Sequence, residues 1–112
     1  MHSILLQKSH DLFCLVNKLT ATFPKKERYG LGLKIDASCL NLLEAIIEVE
    51  QTLPVLKDRA LIVASVKNEF AAILLRLAME RNLIKETNYF AAVQFTVEIG
   101  KLIGGWRKSF RS

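Results

Sequence analysis

Histidine, cysteine and proline each occur only twice in this chain of 112 residues, and glycine only five times. So few histidines exclude most metal and acid–base chemistry. His2 and His10 belong to no Glu-x-x-His pair of the kind a di-iron bundle needs, and read along the chain neither has a cysteine or acid at metal-ligand spacing. A helical ribonuclease of the HEPN type, with a His a few residues after an Arg on one helix, is excluded because no histidine follows position 10. Gly30-x-Gly32 lacks both the preceding strand and the following Lys-Ser/Thr of a phosphate loop. The expectation is a non-enzyme without metal or cofactor. Cys14 and Cys39 are not spaced as Cys-x-x-Cys and lie among apolar neighbours, so both read as buried free thiols. Cys14 lies ten positions before Pro24 and Cys39 ten after Tyr29, which makes a disulfide across the elbow conceivable, but a reducing compartment would keep them apart.

Long hydrophobic runs are missing too. The longest, Phe70-Ala71-Ala72-Ile73-Leu74-Leu75, ends at Arg76, far short of the roughly 18 to 20 residues that span a bilayer. The first residues carry Lys8, His10 and Asp11 and no small-residue cleavage site, so they do not read as a secretory signal. A cytoplasmic protein with no membrane role is expected.

Apolar side chains are in surplus: the chain is 51% hydrophobic with a mean hydropathy of +0.23. Residues 1–112 are enough for one domain, and one small core leaves part of that apolar surface uncovered. A homo-oligomer follows from that excess.

The surplus is arranged with helical periodicity. Leu5, Leu12, Val16, Leu19 and Phe23 mark a first amphipathic helix from about Ser3 to Phe23. Leu33, Leu40, Leu43 and Ile47 form one stripe of a second helix, and Ile35, Leu42, Ile46 and Val49 form another beside it, ending before Pro54. Leu56, Ala60, Val63, Phe70, Leu74 and Leu77 mark a third helix to about Asn82. Phe95, Ile99, Leu102 and Trp106, flanked by Phe90, Val93 and Val97, carry a fourth to about Phe110, interrupted in its last turns by Gly104-Gly105. Strand alternation and internal repeats are absent. Short connections between long helices predict an all-α, antiparallel up-down-up-down four-helix bundle. On this reading Trp106 is a packing residue at a bundle or subunit contact, with the glycines allowing close helix approach.

The net charge of +5 is unevenly spread. Residues 1–34 carry six basic and two acidic groups, residues 35–56 four acidic and no basic, and residues 99–112 four basic and no acidic. In an up-down bundle the first and third elbows share an end, which brings Lys25, Lys26, Arg28 and Lys34 near Arg81 and Lys85. A cationic end without acidic compensation is either a solvated cap or a polyanion-binding surface, and assembly would multiply it. At the other end Glu44, Glu48 and Glu50 are expected beside Lys101, Arg107 and Lys108. The elbow itself is read in two halves: Phe23 and Tyr29 anchor it in the core, with Pro24 stopping the helix, while the cations stay outside.

Two segments, Phe23-Pro24-Lys25-Lys26-Glu27-Arg28-Tyr29 running into Leu31-Gly32-Leu33-Lys34-Ile35, and Ile99-Gly100-Lys101-Leu102-Ile103-Gly104-Gly105-Trp106, carry a resemblance that extends over nearly the whole chain. They resemble the four-helix bundles that include Avd, the accessory variability determinant of diversity-generating retroelements, and proteins encoded in intervening sequences of bacterial large-subunit ribosomal RNA genes. Leu33 stands where members often carry Gln. The resemblance implies a homopentameric barrel of bundles with a basic surface, partnered by a reverse transcriptase and by RNA, DNA or both, and needed for mutagenic cDNA synthesis. An intervening-sequence protein whose charge only solubilises it, and an oligomeric scaffold that binds protein alone, are the alternatives.

Overall fold

The computed structural model describes residues 3–111. Four long helices enclose one core: α1 (Ile4–Thr20), α2 (Leu33–Gln51), α3 (Lys57–Glu80) and α4 (Glu86–Arg111). Each packs mainly on its chain neighbours and α4 returns to α1, closing an antiparallel square about 46 Å long. Among the described residues there is no strand, and no helix is long and apolar enough to cross a membrane.

Local chemistry sets the ends. The Ser3 hydroxyl accepts from the Leu6 amide at 3.1 Å and caps α1. Helix α3 stops in a Schellman motif: Asn82 takes a positive φ of 61°, the Leu83 amide donates to the Ala78 carbonyl at 2.9 Å, and the Asn82 amide donates to Met79 at 2.9 Å. Asparagine tolerates that left-handed turn where a β-branched residue would not. Pro54 opens a single 3-10 turn, Pro54–Leu56, and the Lys57 ammonium donates to the Val49 carbonyl at 2.8 Å, tying the end of α2 to the start of α3. Lys8 pairs with Glu98 at 2.6 Å across α1 and α4, and this hydrogen bond holds the Glu98 carboxyl below its usual range. That tie contributes at neutral pH and is lost as acid protonates the carboxylate.

The core is built from Leu5, Leu12 and Val16 of α1, Ile35, Leu42, Ile46 and Val49 of α2, and Ile99 and Ile103 of α4. Of the two stripes expected on α2, the one containing Leu42 faces inward, while Leu33, Leu40 and Ile47 are exposed. Helix α3 departs further from expectation. Its buried side is Leu61, Ala64, Asn68, Ala71, Leu74, Leu75 and Ala78, so of the expected stripe Leu74 is buried and Ala60 and Leu77 partly so, whereas Leu56, Val63 and Phe70 are exposed. Alanines let α3 approach its neighbours closely, so its core face alternates small residues with Leu61, Leu74 and Leu75 and several bulky residues are left outside.

Three further expectations are corrected. Helix α4 runs unbroken through Gly104 and Gly105, and a Cβ built at either meets nothing within 4 Å, so they serve no close approach within the bundle. Gly104→Ala and Gly105→Ala should therefore each stabilise the protein by about 1 kcal/mol, read as a raised melting temperature. Second, the glutamates of α2 do not face α4. In a square of sequential helices these two are diagonal, and Arg107 pairs instead with Asp58 of α3 at 3.0 Å. Third, Cys14 is exposed, 3.8 Å from the His10 ring, a neighbour that sequence reading did not credit; only Cys39 is buried, and both are free. Burial pushes the Cys39 thiol up to about 12. One thiol per chain should react with a disulfide reagent at neutral pH, and the second only on denaturation. Two fast-reacting thiols in the folded protein would contradict this packing.

Candidate nucleic-acid interface

The first elbow is a short extended hinge followed at once by helix. After α1 the Phe23 amide donates to Thr20 at 3.1 Å, Pro24 is extended with ψ 149°, and the chain then enters a helical turn, Lys25–Glu27. A π-helical stretch, Arg28–Gly32, leads directly into α2. Lys25, Lys26 and Arg28 thus lie on a helical N-terminus, whose backbone dipole adds to their positive field. Two residues hold it down. Phe23 is only 4% exposed. Gly32 is buried so tightly that an added Cβ would meet the Glu27 carbonyl oxygen at 3.3 Å and the Phe23 ring at 3.4 Å.

Tyr29, expected beside Phe23 in the core, is 62% exposed. In the π turn Leu31 and Gly32 take the inward positions, which turns Tyr29 to solvent, where the Arg28 guanidinium lies 5.7 Å from its ring centroid. Trp106 is half-buried and packs against the core from α4.

Lys25, Lys26, Arg28, Lys34, Arg81 and Lys85 are all exposed, and none has an ion-pair partner among the described residues. Lys34 and Arg81 flank one groove of about 350 Å³ between α2 and α3, floored by Leu31, Leu74 and Leu77 with Phe70 on its wall. Lys85 borders a second depression that reaches the first elbow at Leu19 and Thr22. Both elbows therefore share an end. That end is not free of acid: Glu80 and Glu86 line the second depression and Glu27 lies within the first turn. Glu80 is engaged by Arg76 at 3.4 Å. Cations remain in excess. Phe70 as a wall of the cationic groove was missed in sequence, because its place in a heptad pattern reads as core.

The fold and this end together define a small helical bundle with a basic cap. A family model described as bAvd-like matches residues 3–110, and the chain belongs to that family. No curated protein and no solved structure matches it.

Proposed function

We propose that this protein is a non-catalytic, nucleic-acid-binding accessory subunit of a diversity-generating retroelement, acting in the cytoplasm as a homo-oligomer, a pentamer by family likeness, beside the reverse transcriptase that makes mutagenic cDNA. The observation that carries the reading is the set of six exposed cations at one end with no ion-pair partner among the described residues, two of them flanking the groove at Phe70. Such a surface offers phosphate contacts and no base-reading element, so binding has little sequence preference and depends on salt. Family membership supports the retroelement role. Titrating labelled RNA, DNA and hybrid duplexes with the purified protein at two salt concentrations tests it. Affinity for all three that falls steeply with salt is the expected result. Absence of binding at low salt would assign the protein to a scaffold that contacts protein only.

A further inference from the structure

Two of the uncovered apolar surfaces face different ways. One is a ridge along α3, where Ile62, Val63, Val66 and Ile73 turn to solvent, Val66 being 64% exposed. The other is a groove of about 280 Å³ between α1 and α2, with Leu6 and Gln7 on one wall, Leu43 and Ile47 on the other, and His10 at the edge. Helix α3 packs on α2 and α4, so its outer ridge lies away from the seam between α1 and α2. A single chain can thus use both surfaces at once.

Their charged rims are opposite. Glu44 and Glu48 follow Leu43 and Ile47 on α2, both exposed and without a partner among the described residues. On α3 Arg59 borders the ridge, Lys67 lies on its flank and Glu69 sits on it between Val66 and Ile73, none with an ion pair among the described residues. Ridge on ridge about an axis along the bundle would set Arg59 on Arg59 and Glu69 on Glu69, and groove on groove acid against acid; ridge on groove sets Arg59 against the acidic rim of the groove and joins the two apolar surfaces. The heights agree as well. The Lys57 ammonium bonded to the Val49 carbonyl holds the end of α2 and the start of α3 at similar heights, within the reach of one lysine side chain. Equal helical rises from there bring Leu43 to about the height of Val63, and Ile47 and Glu48 to about that of Arg59. Rotation about an axis along the bundle adds no translation, so a closed ring needs that match.

We infer that the α3 ridge of one copy seats in the α1/α2 groove of the next, a head-to-tail contact whose repetition builds the oligomer. This assignment rests on the homo-oligomeric reading above and adds which surfaces meet. Contiguous exposed apolar faces on one small bundle are what such burial removes from water.

Complementation tests it. Val66→Glu spoils the ridge and leaves the groove, and Ile47→Glu does the reverse. Each full-length variant should sediment as a monomer, about 12.7 kDa, with helical content unchanged. Mixed in equal amounts they should form a one-to-one heterodimer, because one intact ridge then meets one intact groove. Assembly of either variant like the wild type, or two monomeric variants that fail to recombine, would overturn the assignment while leaving oligomerisation itself standing. A monomeric wild type would instead refute the oligomeric reading. Arg59→Glu and Glu48→Arg, both at exposed rim positions, repeat the test without touching apolar packing. Each alone should weaken assembly at least tenfold, and combining both in one chain should restore it, since every joint of the ring then again sets opposite charges together; unchanged assembly in both single variants, or no recovery in the double one, would count against the contact.

Discussion

Reversal of Lys25, Lys26 and Arg28 to Glu should lower affinity for RNA, DNA and hybrid duplexes by about a hundredfold or more at low salt, and should flatten the salt dependence of what remains. The change replaces three cations by three anions on one helical turn, beside the groove that holds Lys34 and Arg81. Every phosphate that the protein no longer neutralises takes roughly 0.9 off the slope of log affinity against log salt for a duplex. Folding and assembly should survive. All three side chains are exposed and have no ion pair among the described residues, and exposed charges contribute little to stability. Phe23 and Gly32, which hold the elbow against the bundle, are untouched. Binding to the reverse transcriptase is assayed separately, since the same cations can meet an acidic protein surface. If variant and wild type bind nucleic acid equally, the elbow is not the interface, and Lys101 and Lys108 on α4 become the surface to test.

Asn68→Asp should have the largest effect on stability. Asn68 occupies a core position in the middle of α3 and is 7% exposed. Its amide nitrogen donates to the Thr96 carbonyl of α4 at 2.9 Å, and its amide oxygen is buried without a partner among the described residues. A carboxylate there loses the donor and faces a carbonyl oxygen. An uncompensated buried charge costs about 3–5 kcal/mol, a large share of the roughly 5–15 kcal/mol that holds a domain of this size together. The pH dependence has a definite sign. Burial raises the folded carboxyl above its unfolded value of about 3.9, so the penalty is absent below that value and grows as the pH rises through it. Thermal melts of variant and wild type should lie close near pH 3.5 and far apart at pH 7. Equal melting temperatures at neutral pH would show that water reaches this position. The native asparagine matters for a related reason: a lone polar group in an apolar seam has its hydrogen bond in one register only, which ties α3 to α4 at Thr96.

Helix count, helix order and the position of the elbows are legible in the chain itself, because they depend on local chemistry. Pro24 and Pro54 cannot continue a helix, Asn82 accepts a left-handed turn, and the periodicity of Leu5, Leu12 and Val16 or of Ile35, Leu42 and Ile46 marks a face whatever it packs on. Up-down topology follows from short connections, and with it the shared end of the first and third elbows, where Lys34 and Arg81 do flank one groove. The tertiary structure alone decided which apolar stripe faces the core. On α2 two stripes compete, and on α3 a face that mixes Ala64, Asn68, Ala71 and Ala78 with three leucines is buried while Val66 and Ile73 are not. Periodicity reports a face by its hydrophobicity, but burial is awarded by how closely neighbouring helices approach, and small residues win that contest. The same holds at the elbow, where Phe23 and Tyr29 are equally aromatic in sequence. The π turn at Arg28–Gly32 brings Leu31 and Gly32 inward and leaves Tyr29 in solvent, while Phe23, before Pro24, is buried beside Gly32, and such a local change of backbone register has no signature in composition or spacing.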